Sequence, residues 1–392
     1  MKIAIVHDWL VTNAGAEKVL QQMLQIHPEA DVFCVVDHLS KKDRFYLENH
    51  KVKTTMIQRM PFSKQKYQLY LPFMPLAIEQ LDLKDYDIVL SSSHAVAKGV
   101  LTTSEQLHIS YVHTPMRYAW DMQNDYINKA SGLKIKKALM RYMLFKMRQW
   151  DVQTANRVDY FISNSNFIGK RIWRTYRRTS QTIYPPVNVD AFPLCEIKDD
   201  YYVTASRLVP YKNVKLLVEA FAQMPTRQLL VIGDGPEMKE LKKIATKNVV
   251  LLGHQMQEQL VFYMQRALAF LYAAEEDFGI ALVEAQACGT PVIAYGKGGA
   301  LETVLNLIEN ETPTGIFYYE QNIAAIKDTL QKFEKHKDCF LPEKIREHAM
   351  KFSEARFREE FAEMVRVAFC KHTSGQQYLD EKIDMLEEKI TI

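Results

Sequence analysis

Two doubly wound α/β domains, each a Rossmann-like parallel sheet, facing each other across a cleft are what this sequence predicts. Three observations lead there. Short β-branched runs alternate with longer helical patterns along most of the 392 residues. That length is enough for two domains that each bury a core. The distinctive polar residues also gather just after the expected strands, the edge at which open parallel sheets bind ligands.

In the first series, strands are expected at 2–6, 30–36, 88–92, 108–112 and 160–163. A second series follows at 201–205, 228–232, 249–252, 268–272 and 291–294. Between them lies Tyr184-Pro185-Pro186-Val187-Asn188-Val189-Asp190, where prolines fix an extended backbone. The domains are therefore drawn as 1–186 and 187–352. A helix at about 353–371 packs back on the first, and 372–392 forms a charged tail.

Hydrophobic residues at 47% and charged residues at 25% are ordinary for a soluble globular protein. No run approaches the ~20 apolar residues of a membrane span, and the N-terminal apolar run is too short for a signal peptide. The five cysteines are scattered without a CxxC pair, which argues against structural zinc and for free thiols in a reducing cytoplasm. A net charge of +3 conceals an uneven distribution: 134–178 holds twelve Lys/Arg against Asp151 and Asp159. Nucleic acid, anionic lipid or a phosphorylated acceptor would each suit such a face.

Glu276 and Glu284 stand eight positions apart around a Phe-Gly turn that leads into a short helix. An uninterrupted helix would hold them roughly 12 Å apart and out of line, whereas the turn lets both face one ligand. Carboxylates suit the paired hydroxyls of a sugar or ribose, and a helix N-terminus suits a diphosphate, so the segment fits a nucleotide-sugar. The plainer reading, that acids favour a helix's first turn, stays open at this point. Arg207 and Lys212 lie five residues apart on a strand-to-helix loop, where fixed cations can balance a leaving diphosphate without a metal. Gly233 and the pair Gly253-His254 follow two further strands, and Gly15 opens the helix after the first strand, where a small residue admits close backbone approach.

His113 precedes Thr114-Pro115 at a strand tip, with Arg117, Tyr118, Trp120 and Asp121 nearby. Asp85-Tyr86-Asp87 has the DxD pattern of some metal-dependent sugar transferases. It falls at the amino end of a strand, however, so it reads as a turn and no metal is expected. The stretch 133–150 mixes cations with dense apolar residues. It is either a buried helix with a basic outer face or an interfacial helix on anionic lipid. The apolar, aromatic stretches 60–62 and 67–74 would flank an acceptor lipid. No nucleic-acid module is recognisable.

Together these residues resemble the retaining glycosyltransferases of family 4, which have the GT-B fold. The resemblance runs from Met1 to about Cys370. Its most specific part is Glu276-Asp277-Phe278-Gly279 through Glu284-Ala285 and Gly289-Thr290-Pro291, similar to that family's E-x7-E signature. The stretch Tyr111-Val112-His113-Thr114-Pro115-Met116-Arg117-Tyr118-Ala119-Trp120-Asp121 resembles a subgroup of bacterial surface-polysaccharide enzymes that includes mannosyltransferases. Where the family often has two glycines in its N-terminal loop, this chain has Ala14-Gly15.

The resemblance implies a catalytic set of His113, Glu276, Arg207 and Lys212. Glu284 would accept from the ribose hydroxyls. Glu276 would hold the donor sugar, helped by the N–H groups of Phe278, Gly279 and Ile280. Arg207 and Lys212 would stabilise the departing diphosphate, and His113 would sit near the reacting carbon. Gly15, Gly233, Gly253 and His254 complete the donor contacts; Arg117, Tyr118 and Asp121 are the acceptor contacts.

The first domain would bind acceptor and the second nucleotide-sugar. The expected enzyme is cytoplasmic and peripheral at the inner face of the cytoplasmic membrane. It would move mannose from GDP-mannose to a polyprenyl-diphosphate-linked glycan in O-antigen or capsule synthesis, touching anionic lipid, with no cofactor, no metal and no nucleic acid. The alternatives are a UDP-sugar-dependent transferase of the same family, a sugar-nucleotide epimerase, and a non-catalytic glycan-binding subunit.

Overall fold

A computed structural model describes residues 1–129 and 134–390, with side chains through residue 375 apart from 125 and 129. Leu133, at the head of the expected basic helix, and the tail's side chains beyond 375 lie outside the described residues. The chain divides into two units, Met1–Tyr184 with Phe357–Ile392, and Pro185–Arg356.

The first unit is built on seven parallel strands: β1 (Ile3–His7), β2 (Asp31–Cys34), β3 (Val52–Thr54), β4 (Ile88–Ser93), β5 (Leu107–Val112), β6 (Tyr160–Ser163) and β7 (Ser180–Thr182). Their order is β3-β2-β1-β4-β5-β6-β7, so the direction of winding reverses between β1 and β4. The second unit has β8 (Tyr202–Ala205), β9 (Leu229–Ile232), β10 (Val249–Gly253), β11 (Ala269–Tyr272), β12 (Val292–Tyr295) and β13 (Gly315–Tyr318). Its order is β10-β9-β8-β11-β12-β13, and the reversal falls between β8 and β11. Each reversal opens a crevice at the carboxyl ends of two neighbouring strands.

Strand β1 shows why the sheet is covered on both faces. All five of its residues are buried, and alternate side chains serve different cores. Ile3 and Ile5 join Leu20, Met23 and Leu24 of the Gly15–Ile26 helix, whereas Ala4 and Val6 join Met74, Ile78, Leu144 and Met147. The first of these layers is completed by the Glu354–Ile390 helix, whose Phe357, Phe361, Val365 and Ala368 recur at helical spacing along one stripe. The residues expected as a tail after 371 continue that helix to Ile390.

The Lys134–Thr154 helix has two faces. Leu144, Met147, Asp151 and Thr154 point inward at three- and four-residue spacing. Asp151 is fully buried and anchors the helix to the turn after β4. Its Oδ1 pairs with Lys98 Nζ at 2.8 Å, and its Oδ2 accepts from Trp120 Nε1 at 2.8 Å. The Tyr176 hydroxyl donates to both carboxylate oxygens. Lys98 Nζ also donates to the Asp151 carbonyl and to Thr154 Oγ1, each at 2.7 Å. Burial pulls the Lys98 pKa down, and Asp151 opposes that shift. No helix among the described residues is long and apolar enough to cross a membrane.

Removing one member of such a pair strands the other as an unpaired buried charge, which costs about 3–5 kcal/mol. Lys98→Ala is therefore expected to lower the urea midpoint of the unit's unfolding transition by that amount of stability. Lys98→Met combined with Asp151→Leu, which removes both charges, should recover much of the loss; equilibrium denaturation of the three proteins checks this.

Candidate active site

In the second unit the site grows from the two strands that flank the reversal. After β8 the chain runs through Arg207 and a single turn, Pro210–Lys212, into the Val214–Ala222 helix. After β11 it runs through Glu275, Glu276 and Asp277 to Gly279, which starts the Ile280–Ala287 helix. Lys212 and Glu276 meet here and form an ion pair, with side chains 15% and 17% exposed. The same ammonium donates to the Tyr272 hydroxyl at 2.8 Å. Burial alone would favour a neutral Lys212. The Tyr272 phenol oxygen, the Glu276 carboxylate and Tyr211 outweigh it, so the pKa is raised and the lysine stays charged. Burial, then the Glu276 charge, raises the Tyr272 phenol, which stays neutral.

Two glycine turns hold these loops. Gly233, at φ +132°, lies so close to the Arg207 loop that a Cβ there would stand 1.9 Å from the Ser206 carbonyl oxygen. The loop is stitched to that turn by Ser206 N–H to Ile232 O and Leu208 N–H to Asp234 O. On the other side Gly298, at φ +69°, backs directly onto Glu276, and a Cβ would fall 2.3 Å from the Glu276 carbonyl oxygen. Gly299 N–H donates to that oxygen at 2.8 Å. The carboxylate loop is thus fixed by its backbone, which leaves its side chains for other work.

The remaining expected residues of this unit fall as follows. Arg207 is exposed on the same loop as Lys212, and no carboxylate among the described residues pairs with it. Phe278 is buried and packs edge-on against Phe352 at 5.6 Å. Gly279 and Ile280 form the start of the helix, and Glu284 is half-buried one turn further on. Gly253 ends β10 with its carbonyl accepting from Gly233 N–H, and His254 beyond it is exposed.

In the first unit the reversal between β1 and β4 is occupied by a different chemistry. The Asp8 carboxylate, wholly buried, accepts four backbone N–H groups in a row from His94, Ala95, Val96 and Ala97, at 2.6, 2.9, 2.6 and 2.7 Å. It thereby fixes the turn after β4. His94 Nδ1 lies 3.0 Å from Asp8 Oδ2 but off the hydrogen-bond direction. His113, at the tip of β5, sits 6.2 Å from the His94 ring, and its Nε2 contacts Ser92 Oγ at 2.8 Å. Burial, reinforced by His94 and His7, pushes the His113 pKa well below that of an ordinary imidazole. Gly15 begins its helix beside Ala14, whose N–H donates to Glu17 Oε2 at 2.9 Å.

Arg117 and Tyr118 line a cavity of about 410 Å³ together with Trp9, Tyr67, Met140 and Leu144. Asp121 instead pairs with Arg171 at 3.3 Å and is exposed. The DxD pattern lies at the amino end of the sheet: Asp87 Oδ2 accepts from Lys2 N–H at 2.6 Å. Sequence reasoning assigned no role to Tyr272, Asp8, Ser92 or Glu17. The first three stand at or next to strand carboxyl ends, a positional signal that residue type alone did not single out.

Two parallel sheets, each carrying its polar residues at a winding reversal, define a GT-B fold. HepE from Anabaena, solved with UDP, superposes with a TM-score of 0.69 at 19% identity, covering 94% of this chain and 100% of that one. Sucrose-phosphate synthase from Thermosynechococcus elongatus gives 0.69 at 18% identity, covering 95% and 100%. In the second unit, residues 194–354 match the family model described as "Glycosyl transferases group 1".

Among curated relatives, a GDP-mannose-dependent phosphatidylinositol monomannoside mannosyltransferase of Corynebacterium glutamicum is 39% identical over 114 residues, 25% of this chain and 30% of that protein. An alpha-1,3/1,6-mannosyltransferase of Kluyveromyces lactis is 26% identical over 303 residues, 64% and 57%. The chain thus spans between 30% and 57% of the length of these relatives.

The two glycine environments differ enough to test. Gly233→Ala meets both a forbidden φ and the Ser206 carbonyl, and is expected to cost about 3 kcal/mol or more. Gly253→Ala, at φ +71° with open space around it, should cost only about 1 kcal/mol. Denaturation midpoints of the two variants measure the contrast.

Proposed function

We propose that this protein is a retaining hexosyltransferase that moves mannose from GDP-mannose to a lipid-linked glycan acceptor in bacterial surface-polysaccharide synthesis, working at the cytoplasmic face of the membrane. The observation that carries the reading is the half-buried Lys212–Glu276 pair with the buried Tyr272 at the β8/β11 reversal. A nucleotide-sugar would exchange the partners of both charges. Its diphosphate would take Lys212, with Arg207 beside it, and its sugar hydroxyls would take Glu276.

Glu284 and the first N–H groups of the Ile280–Ala287 helix supply the ribose acceptor and diphosphate donors of the same reading. Transfer breaks the bond between C1 and the diphosphate oxygen and forms the new glycosidic bond on the same face. The acceptor's proton leaves with the departing phosphate. The protein's part is to hold positive charge where the leaving group becomes more negative. Mannose and GDP are favoured by the relatives of Corynebacterium and Kluyveromyces, both mannosyltransferases by name.

The lipid side of the proposal rests on the first unit. The outer face of the Lys134–Thr154 helix presents Ile135, Leu139, Tyr142 and Phe145 among Lys134, Lys136, Arg141 and Lys146. Phe62, Leu69, Phe73 and Leu76 are also exposed, and Pro72 and Pro75 line one hollow with Tyr142 and Lys146. Apolar side chains interleaved with cations suit the boundary between anionic head groups and acyl chains. The apolar cavity lined by Trp9, Tyr67, Arg117 and Tyr118 lies against the same helix through Met140 and Leu144, and suits a lipid-linked acceptor.

Lys212→Ala and Glu276→Ala are each expected to lower transfer of labelled mannose from GDP-mannose into a lipid extract by about a hundredfold or more, with unchanged circular dichroism. Turnover close to the parent's in either variant overturns the donor site. Sedimentation with phosphatidylglycerol vesicles tests the membrane face. The parent should pellet with them, and exchanging Lys136, Lys137 and Arg141 for Glu should weaken binding by about a hundredfold or more, each cation contributing about 1 kcal/mol.

A further inference from the structure

Glu276 has two tasks in the proposed chemistry that it cannot perform at once. In the structure it pairs with Lys212, whereas in the donor complex it would turn to the sugar hydroxyls. Lys212 must then keep its place without it. The geometry points to Tyr272 as the positioning residue that keeps it there. Its phenol oxygen is a fixed, neutral acceptor that holds the Lys212 ammonium toward the diphosphate after the carboxylate has turned away. This rests on the proposed donor site for the identity of the incoming anion, but the hold of Tyr272 on Lys212 does not.

The direction of this contact has no alternative. An ammonium has three N–H donors and no lone pair, so at 2.8 Å the Tyr272 hydroxyl oxygen can only accept from it. Burial, then the Glu276 charge, raises the phenol's pKa and keeps that oxygen protonated. A carboxylate holds an ammonium and also cancels its charge. A neutral phenol holds it and leaves the charge for a second partner, which is what a departing diphosphate needs.

Tyr272 is also the better fixed of the two partners. It is buried at the end of β11, in register with Ala294 of β12. Its ring stacks on Phe270 at 6.0 Å, and its carbonyl accepts from the Tyr318 hydroxyl at 3.2 Å. Glu276 reaches Lys212 from the loop beyond the strand, through a side chain with more rotamer freedom to lose. The Tyr211 ring lies as near the ammonium as the Tyr272 ring, 5.4 Å from Nζ in each case. Tyr211, however, is exposed and belongs to the lysine's own turn, so it cannot tie that turn to the neighbouring strand.

Tyr272→Phe keeps the ring and deletes the acceptor, and Glu276→Gln imitates the departure of the carboxylate's charge. The groups acting on the ammonium are Tyr272 from β11, Glu276 from the loop after it and Tyr211 from its own turn, and all three raise its pKa against burial. Removing one lets burial gain, so Lys212 should lose its proton at lower pH. The titration is read without ligand, on full-length protein carrying ¹³C at lysine Cε, with the Lys212 signal identified by its loss in Lys212→Arg. Its midpoint is expected to lie about one unit or more lower in the double variant Glu276→Gln, Tyr272→Phe than in Glu276→Gln alone, the loss of one hydrogen bond to a charged group. A packing role for Tyr272 would leave the two midpoints equal, and that result overturns the inference. In turnover, Tyr272→Phe alone should lower kcat with GDP-mannose about tenfold or more and move the alkaline limb of the pH profile to lower pH. Adding Lys212→Arg should remove that limb, because a guanidinium does not titrate there. An unchanged kcat and an unmoved limb in Tyr272→Phe also overturn the inference. The expected midpoints in a protein that transfers no sugar would keep the hold of Tyr272 and remove the transferase reading instead.

Discussion

Lys212 can stay charged beneath the surface of the second unit only because Glu276 and Tyr272 are there with it. An ammonium with 15% exposure loses most of its hydration, and at an effective dielectric near 20 a contact carboxylate returns about 4 kcal/mol of attraction. The two residues lie on the loops that follow neighbouring strands, β8 and β11, and are 64 positions apart in sequence. What brings them together is the reversal of winding, and what holds them there is backbone. Gly233 and Asp234 grip the lysine's loop, while Gly298 and Gly299 grip the glutamate's. A side chain at Gly233 or Gly298 would push the loops apart, so the charge pair rests on positions that carry no chemistry of their own.

The first unit meets the same demand at its own reversal without a cation. Asp8 is a wholly buried carboxylate, and it is satisfied by four successive N–H groups of the turn after β4, which act as a fixed positive pole. Of the three histidines around that turn, His7 and His113 both contact Ser92, and burial lowers the pKa of His94 and His113. One reversal thus offers charge, suited to a diphosphate, and the other offers neutral donors and acceptors, suited to hydroxyls.

The fold class was legible because ten strands announce themselves as apolar, β-branched runs, and all ten expected strands occur within about two residues of their reading. The three unforeseen strands, β3, β7 and β13, are all edge strands. Two of them, Val52–Thr54 and Ser180–Thr182, are three residues long and mostly polar, since an edge has only one neighbour and one covered side to satisfy. In the site, Lys212 and Glu276 were readable as strand-end residues of the right chemistry. Tyr272 was not, because inside a run such as Ala269–Tyr272 a tyrosine reads as one more core aromatic. Nor does the sequence show that Glu17 reaches His7, a contact that depends on how the first turn of a helix lies over a strand.

The Lys134–Thr154 helix resolves a tension that its composition left standing. Its apolar residues are too many for a solvated helix and its cations too many for a buried one, and the structure divides them unevenly. The inward stripe, Leu144, Met147, Asp151 and Thr154, contains the one carboxylate of the helix, and that carboxylate is spent on Lys98. With Asp151 withdrawn, no acid on this helix offsets Lys134, Lys136, Lys137, Arg141, Lys146 and Arg148. The pairing that locks the helix to the unit is therefore also what leaves its outer face uniformly basic, with Ile135, Leu139, Tyr142 and Phe145 exposed among the cations. Lys98 directly follows the four N–H groups that hold Asp8, so the same short turn secures the helix at one end and the histidine cluster at the other. A helix loosely attached could not hold a fixed depth relative to the strand ends. This one is tied by a buried charge, two indoles and a phenol packed around it, and its position is set by the same contacts that fix the turn.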